Sequence, residues 1–254
     1  MLRTTAWWSA TLVVAVGIIG AARVGAAEET NSAVKAESPS GFYDPVVRQI
    51  EGWTVYIDPA LLEGEHAEEG NRALTMLANH LQRIKIVVPP EPLAKLQKIE
   101  IWIEWANPQA NAMCYHPDPK WVRDHGLDPR LGKKVHITHA AELYSRQQMF
   151  KHPFVIMHEL AHAYHDQVLG FDDPRIIAAY REAKKSGKYD KVLAHSGRYV
   201  EHYAMKDHKE YFAEGTEAYL YRNDFFPFVR AELKEFDPKL HEVLKEIWGP
   251  APAR

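Results

Sequence analysis

Hydrophobic and polar residues follow two periods along this chain, a strand-like two in the first half and a helical three to four in the second. Trp53-Thr54-Val55-Tyr56-Ile57 reads as a short strand, and residues 99–105 alternate like a half-buried one. Between them, residues 71–83 place Leu74, Leu77 and Leu81 on one side of a helix. Residues 106–133 are dense in Pro, Gly, Asp and Asn. A loop that long in a compact domain usually has a function, here the rim of a cleft. Residues 135–138 follow as a strand, with 134–138 a candidate edge for pairing an extended peptide, and 140–149 as a helix. From Pro153 onward the pattern is helical, closing in 227–236 and 238–248, with no internal repeat. Strands first and helices last predict an α+β domain over residues 41–254, strand-bearing to about 150 and helical from about 151.

One stretch of the helical half carries chemistry. Pro153 suits a first helical position and Gly170 a C-terminal stop. Between them Phe154, Met157, Ala161, Tyr164 and Val168 make an apolar stripe. His158, Glu159 and His162 form HExxH beside that stripe, at the half-buried edge of a core. Four apart, the two histidines stand one above the other and offer two imidazole nitrogens to one zinc ion. Glu159 lies beside the metal, placed to take a proton from its water. The plainer account is a surface helix whose histidines are merely polar. A catalytic zinc needs a third protein ligand, and Val168 stands where HExxHxxGxxH enzymes carry histidine. The candidate lies in residues 209–219. On a helix, Glu210, Glu214, Glu217 and Tyr221 share one face, and a row of carboxylates repels itself unless a cation faces it. Asp207 to Glu210 is also a D-x-x-E capping box, in which Glu210 bonds back to the helix start.

His158 to His162, then Tyr203, then six residues and Glu210-Tyr211-Phe212-Ala213 resemble the zinc site of gluzincins related to the anthrax lethal factor peptidase domain. Those proteins carry E-[FY]-F-A downstream of HExxH, and the likeness covers about a quarter of the chain. It implies a zincin-like fold: a small N-terminal sheet, an active-site helix and a helical C-terminal half. It also implies one Zn2+ held by His158, His162 and Glu210, with Glu159 as general base and Tyr203 hydrogen-bonding the reacting centre. A phenol there suits a developing oxyanion, although Tyr199, Tyr203 and Tyr211 equally suit packing between helices. Glu214, one turn after Glu210, is expected to orient His158 or His162. His165 is expected to orient the ligands or lie at the surface, and His195, His202 and His208 to be solvated.

The N-terminus bears on compartment. Met1-Leu2-Arg3 is a basic start, residues 10–22 are uncharged, and Val24-Gly25-Ala26-Ala27 supplies small residues. Residues 1–27 read as a signal peptide cleaved near Ala26 or Ala27, too short in its apolar run for the about twenty residues of a membrane span. An uncleaved anchor is the other reading. Residues 28–40, rich in Ala, Glu and Ser, read as a disordered tether. Losing Arg3 and Arg23 with the signal moves the formal charge from −3 to −5, against nucleic-acid binding. The single cysteine, Cys114, excludes an intramolecular disulfide, and no partner pattern makes it a nucleophile. These features together predict a periplasmic or secreted zinc metallopeptidase acting on a peptide or protein, with no stable membrane span after cleavage. A non-catalytic zinc-containing envelope module and a zinc hydrolase of non-peptide amides or esters are the competing readings. Glu159 speaks against the module, because a purely structural site has no use for a base.

Overall fold

The computed structural model describes residues 41–250; the signal-peptide and tether readings, 1–27 and 28–40, lie outside the described residues. Five strands, β1 (Val46–Ile50), β2 (Trp53–Ile57), β3 (Ile101–Ile103), β4 (Cys114–Tyr115) and β5 (Val135–Ile137), form one sheet in the order β1-β2-β3-β5-β4. The β1–β2 hairpin closes on Glu51 and Gly52, both at positive φ (52° and 96°), as a tight turn matched to strand twist requires. β2, β3 and β5 run parallel, and β4 returns antiparallel along the outer side of β5. Helices α1 (Ala67–Val87) and α2 (Pro90–Leu96) lie between β2 and β3, and α3 (Pro119–Asp124) between β4 and β5. After the sheet come α4 (Arg146–Lys151), α5 (Val155–Tyr164), α6 (Pro174–Ser186), α7 (His208–Leu220), α8 (Arg230–Phe236) and α9 (Pro238–Trp248). The fold is mixed α and β, with a small N-terminal sheet ahead of a mostly helical C-terminal half.

Several elements differ from the expectation, each for a nonlocal reason. β1 carries no alternation because it is an edge strand, exposed over four of its five residues. β2 does alternate, burying Trp53, Val55 and Ile57. β3 is shorter than 99–105 and buried on both faces, because it pairs on both sides and its Trp102 is covered. The cover is the 106–133 segment, which is not an open rim. It folds α3 and a 3-10 turn, Pro129–Leu131, around a second small core of Trp102, Val122, Leu127 and Leu131. Arg130 ties it down, its Nη2 donating to the Tyr43 carbonyl at 2.5 Å and to Asp128 at 2.7 Å. β5 lies between β3 and β4, so residues 134–138 offer no free edge; the edge belongs to β4. The 140–149 helix breaks into a 3-10 turn, Ala140–Tyr144, and α4, where Ser145 Oγ accepts from the Gln148 N–H at 3.3 Å. The helical half also contains a hairpin, β6 (Val192–Leu193) with β7 (Tyr199–Val200).

The main core runs from the sheet through α1 and α5 to α7 and α9. In α7 every residue from Glu210 to Leu220 is buried, three glutamates included. A helix enclosed on all sides normally carries apolar residues all round. Burying Glu210, Glu214 and Glu217 is costly unless each is neutral or partnered, so their partners show what this region is built for.

Candidate metal centre

α5 starts at Val155 rather than Pro153, and nine of its ten residues are buried, so the expected stripe at a core edge is in fact a central helix. Past Tyr164 the chain widens into a π turn, His165–Leu169, ending at Gly170 with φ 83°. The wider turn takes Val168 off the apolar face, leaving it exposed. It also brings Asp166 to the Tyr115 hydroxyl (2.5 Å) and to Lys133 Nζ (2.6 Å), fastening α5 to the edge of the sheet.

α7 crosses beside α5. Asp207 caps it, its Oδ1 accepting from the N–H groups of Lys209 (2.8 Å) and Glu210 (3.0 Å). The Glu210 side chain does not return the bond, so only half of the capping box forms. Its Oε2 instead lies 3.2 Å from His158 Nε2 and 3.1 Å from His162 Nε2, and those two nitrogens are 3.1 Å apart. Ligand atoms about 2.0–2.1 Å from a tetrahedral zinc stand about 3.4 Å from one another. The three atoms are therefore grouped at nearly the spacing a bound metal imposes, and they form one of three His/Cys/Glu groups able to hold an ion among the described residues.

Glu217, rather than Glu214, holds His158. Its Oε1 accepts from His158 Nδ1 at 2.7 Å and lies 2.8 Å from His152 Nε2, whereas Glu214 Oε1 is 3.9 Å from His158 Nδ1. A carboxylate on Nδ1 leaves Nε2 free to face the metal position. Glu217 stands two turns after Glu210 on the same face, so the carboxylate row contained it. Burial, with Asp224 and Glu217 nearby, raises the Glu214 carboxyl well above its usual range. Tyr221 lies past the end of α7, its ring against Phe154 (5.3 Å) rather than among the carboxylates.

The electrostatics favour a cation. Burial pushes His158 down, but the carboxylates of Glu210 and Glu217 outweigh it and raise the imidazole well above its ordinary range. Burial likewise acts against the charged form of Glu210, and the two histidines overcome it, holding the carboxyl far below normal. The carboxylates of Glu210 and Glu217 facing the imidazoles make this a place where positive charge is favoured.

Glu159 is buried beside this group, and its Oε2 accepts from the Tyr115 N–H of β4 at 2.9 Å. Tyr203 sits in a 3-10 turn, half exposed rather than packed between helices. Lys206, which no motif singled out, links it to the centre: Nζ donates to the Tyr203 hydroxyl and to Glu210 Oε1, each at 2.8 Å. His165 is neither at the surface nor against the ligands. It is fully buried among Phe171, Phe212 and His208, and burial lowers its pKa to about 3. His202, expected to be solvated, is buried too, accepting from the Ala204 N–H at 3.1 Å and pushed down to about 3. His208 is half-buried and donates to the Phe171 carbonyl (2.9 Å), while His195 is exposed. Burial and the nearby Glu159 push the Cys114 thiol up to about 12. Compared with protein-family models, curated proteins and solved structures, the chain matches none.

Proposed function

We propose that this chain is an exported zinc-dependent peptidase of zincin-like architecture. The observation that carries the reading is the grouping of His158 Nε2, His162 Nε2 and Glu210 Oε2 within 3.2 Å of one another, next to the buried carboxylate of Glu159. Two imidazoles and one carboxylate are the donor set of a hydrolytic zinc rather than of a four-ligand structural one. When bound, zinc polarises a carbonyl and makes water a nucleophile near neutral pH. The chain's own residues supply the rest. Glu159 accepts the proton of the attacking water and passes it to the leaving amine; the Tyr115 N–H holds the carboxylate in place meanwhile. The Tyr203 hydroxyl donates to the oxyanion as charge develops, with Lys206 adding a positive charge behind it. β4, not residues 134–138, is the edge strand beside Glu159, and its Tyr115 N–H is given to that carboxylate rather than to a peptide. The signal-like N-terminus supports delivery to a periplasm or the medium.

The test is a diverse peptide library incubated with the zinc-loaded chain and read by mass spectrometry. Glu159→Gln keeps shape and metal but cannot take a proton, so cleavage should vanish. Tyr203→Phe should lower kcat by roughly ten- to a thousandfold with a smaller change in KM. If wild type cuts nothing that Glu159→Gln spares, the peptidase reading falls and a zinc-binding module or a hydrolase of non-peptide amides or esters replaces it.

A further inference from the structure

Metal-binding atoms meet in a second place, on the face of the sheet that carries Trp102. Across that face Trp102 pairs with His136 and His136 with Cys114. His116, two residues after Cys114, returns to the same side, as strand alternation requires. Cys114 Sγ lies 3.6 Å from His116 Nε2, which lies 3.0 Å from His136 Nδ1. A tetrahedral zinc with sulfur at about 2.3 Å and nitrogen at about 2.0–2.1 Å separates an S–N pair by about 3.6 Å and an N–N pair by about 3.4 Å. A hydrogen bond between the imidazoles accounts for the nitrogen pair alone. The thiol contact is also within hydrogen-bond range of sulfur, but His116 Nε2 carries only one proton or one lone pair and can bond only one of its two neighbours well, which leaves the other contact and the group behind His136 unexplained. There Glu104 Oε2 is 3.5 Å from His136 Nε2, a charge-pairing distance, and Glu104 is itself fixed by the Tyr43 hydroxyl (3.0 Å) and Asn107 Nδ2 (2.5 Å). His116, His136 and Glu104 are all buried, while Cys114 is partly open. The layout resembles the first centre, where Glu217 stands behind His158, except that Glu104 stays beyond hydrogen-bond reach of the buried His136 Nε2.

The geometry points to a second cation site, formed by Cys114 Sγ, His116 Nε2 and His136 Nδ1, that takes one zinc ion. A thiolate with two imidazoles selects zinc over magnesium or calcium, and binding releases the thiol proton to solvent. Its consequence lies one residue along. β4 is only two residues long, and its Tyr115 N–H holds Glu159. An ion joining Cys114 and His116 to His136 staples this short strand to β5 and so steadies the carboxylate of the first centre.

Cobalt is the probe, because a thiolate ligand gives it a near-ultraviolet charge-transfer band that imidazole and carboxylate do not. The full-length chain carrying His162→Ala, which cripples the first centre, should bind one Co2+ with that band. Adding Cys114→Ser should remove both the band and that equivalent, with far-ultraviolet circular dichroism unchanged. Should His162→Ala not fold, the same comparison runs between wild type and Cys114→Ser, where binding should drop from two equivalents to one. Folded wild-type chain saturated with cobalt but lacking the band, or a band that survives Cys114→Ser, would overturn the inference. Failure of the first centre alone would leave the band in place, so the two readings fail separately.

Discussion

Three buried glutamates on one helix have three different jobs. Glu210 faces the two histidines, Glu217 holds His158 from behind, and Glu214 stands 3.9 Å from His158 Nδ1 with its carboxyl raised by burial. Glu217→Gln should therefore weaken zinc binding by about ten- to a hundredfold in competition with a chelator, as changes behind a metal ligand do. Glu214 stands beyond hydrogen-bond reach of His158, so Glu214→Gln should leave affinity nearly unchanged; equal losses would contradict the assignment. Helical spacing showed that these carboxylates share a face. It could not show which reaches past α5, because that depends on how two helices cross. The burial of His165 and His202 was hidden for the same reason: their neighbours are distant in sequence. Buried histidines also set a pH response. Burial, assisted by Arg83, lowers His80 from 6.5 to about 4. Above pH 6.5 it is neutral whether folded or unfolded. As pH falls toward 4 the unfolded chain takes the proton first, so stability is lost across that window. Tm should thus drop between pH 7 and pH 5, and the drop should be smaller in His80→Leu. Equal drops would clear His80 of the effect.

At the scale of elements, the local signals that held were short-range. β2 spans the residues read as a short strand, Gly170 ends the helical segment that carries HExxH, and α9 spans the same residues as its pattern. What periodicity missed depended on cover from elsewhere: the two-sided burial of β3 and the small core under 106–133. The length of α1 was missed as well, because its first turn is held by packing rather than by an apolar repeat. Gly70 there presses on the turn at Pro59–Leu61, and a Cβ on it would lie 1.8 Å from the Leu61 carbonyl oxygen. Backbone cannot step aside as a side chain can. Gly70→Ala should cost at least about 1–3 kcal/mol, the usual range for overpacking, despite the better helix propensity of alanine. Chemical denaturation measures it, and an unchanged or higher midpoint would refute the packing argument.

Seen whole, the molecule brings the far edge of a small sheet against one helix of its C-terminal half. β4 reaches Glu159 through Tyr115, the π turn after α5 grips Tyr115 through Asp166, and α7 closes the centre with Glu210. The four motif residues, His158, Glu159, His162 and Glu210, were legible because each motif is local. Their assembly, with Glu217, Lys206 and the β4 backbone, was legible only in the fold. The central claim is that His158, His162 and Glu210 hold one catalytic metal. Anomalous diffraction at the zinc absorption edge, on crystals of the zinc-loaded chain, tests it most directly. A peak bonded to His158 Nε2, His162 Nε2 and a Glu210 oxygen at about 2.0–2.2 Å is the expected result. Zinc-loaded crystals without a peak there, or with Glu210 turned away from it, would contradict the account.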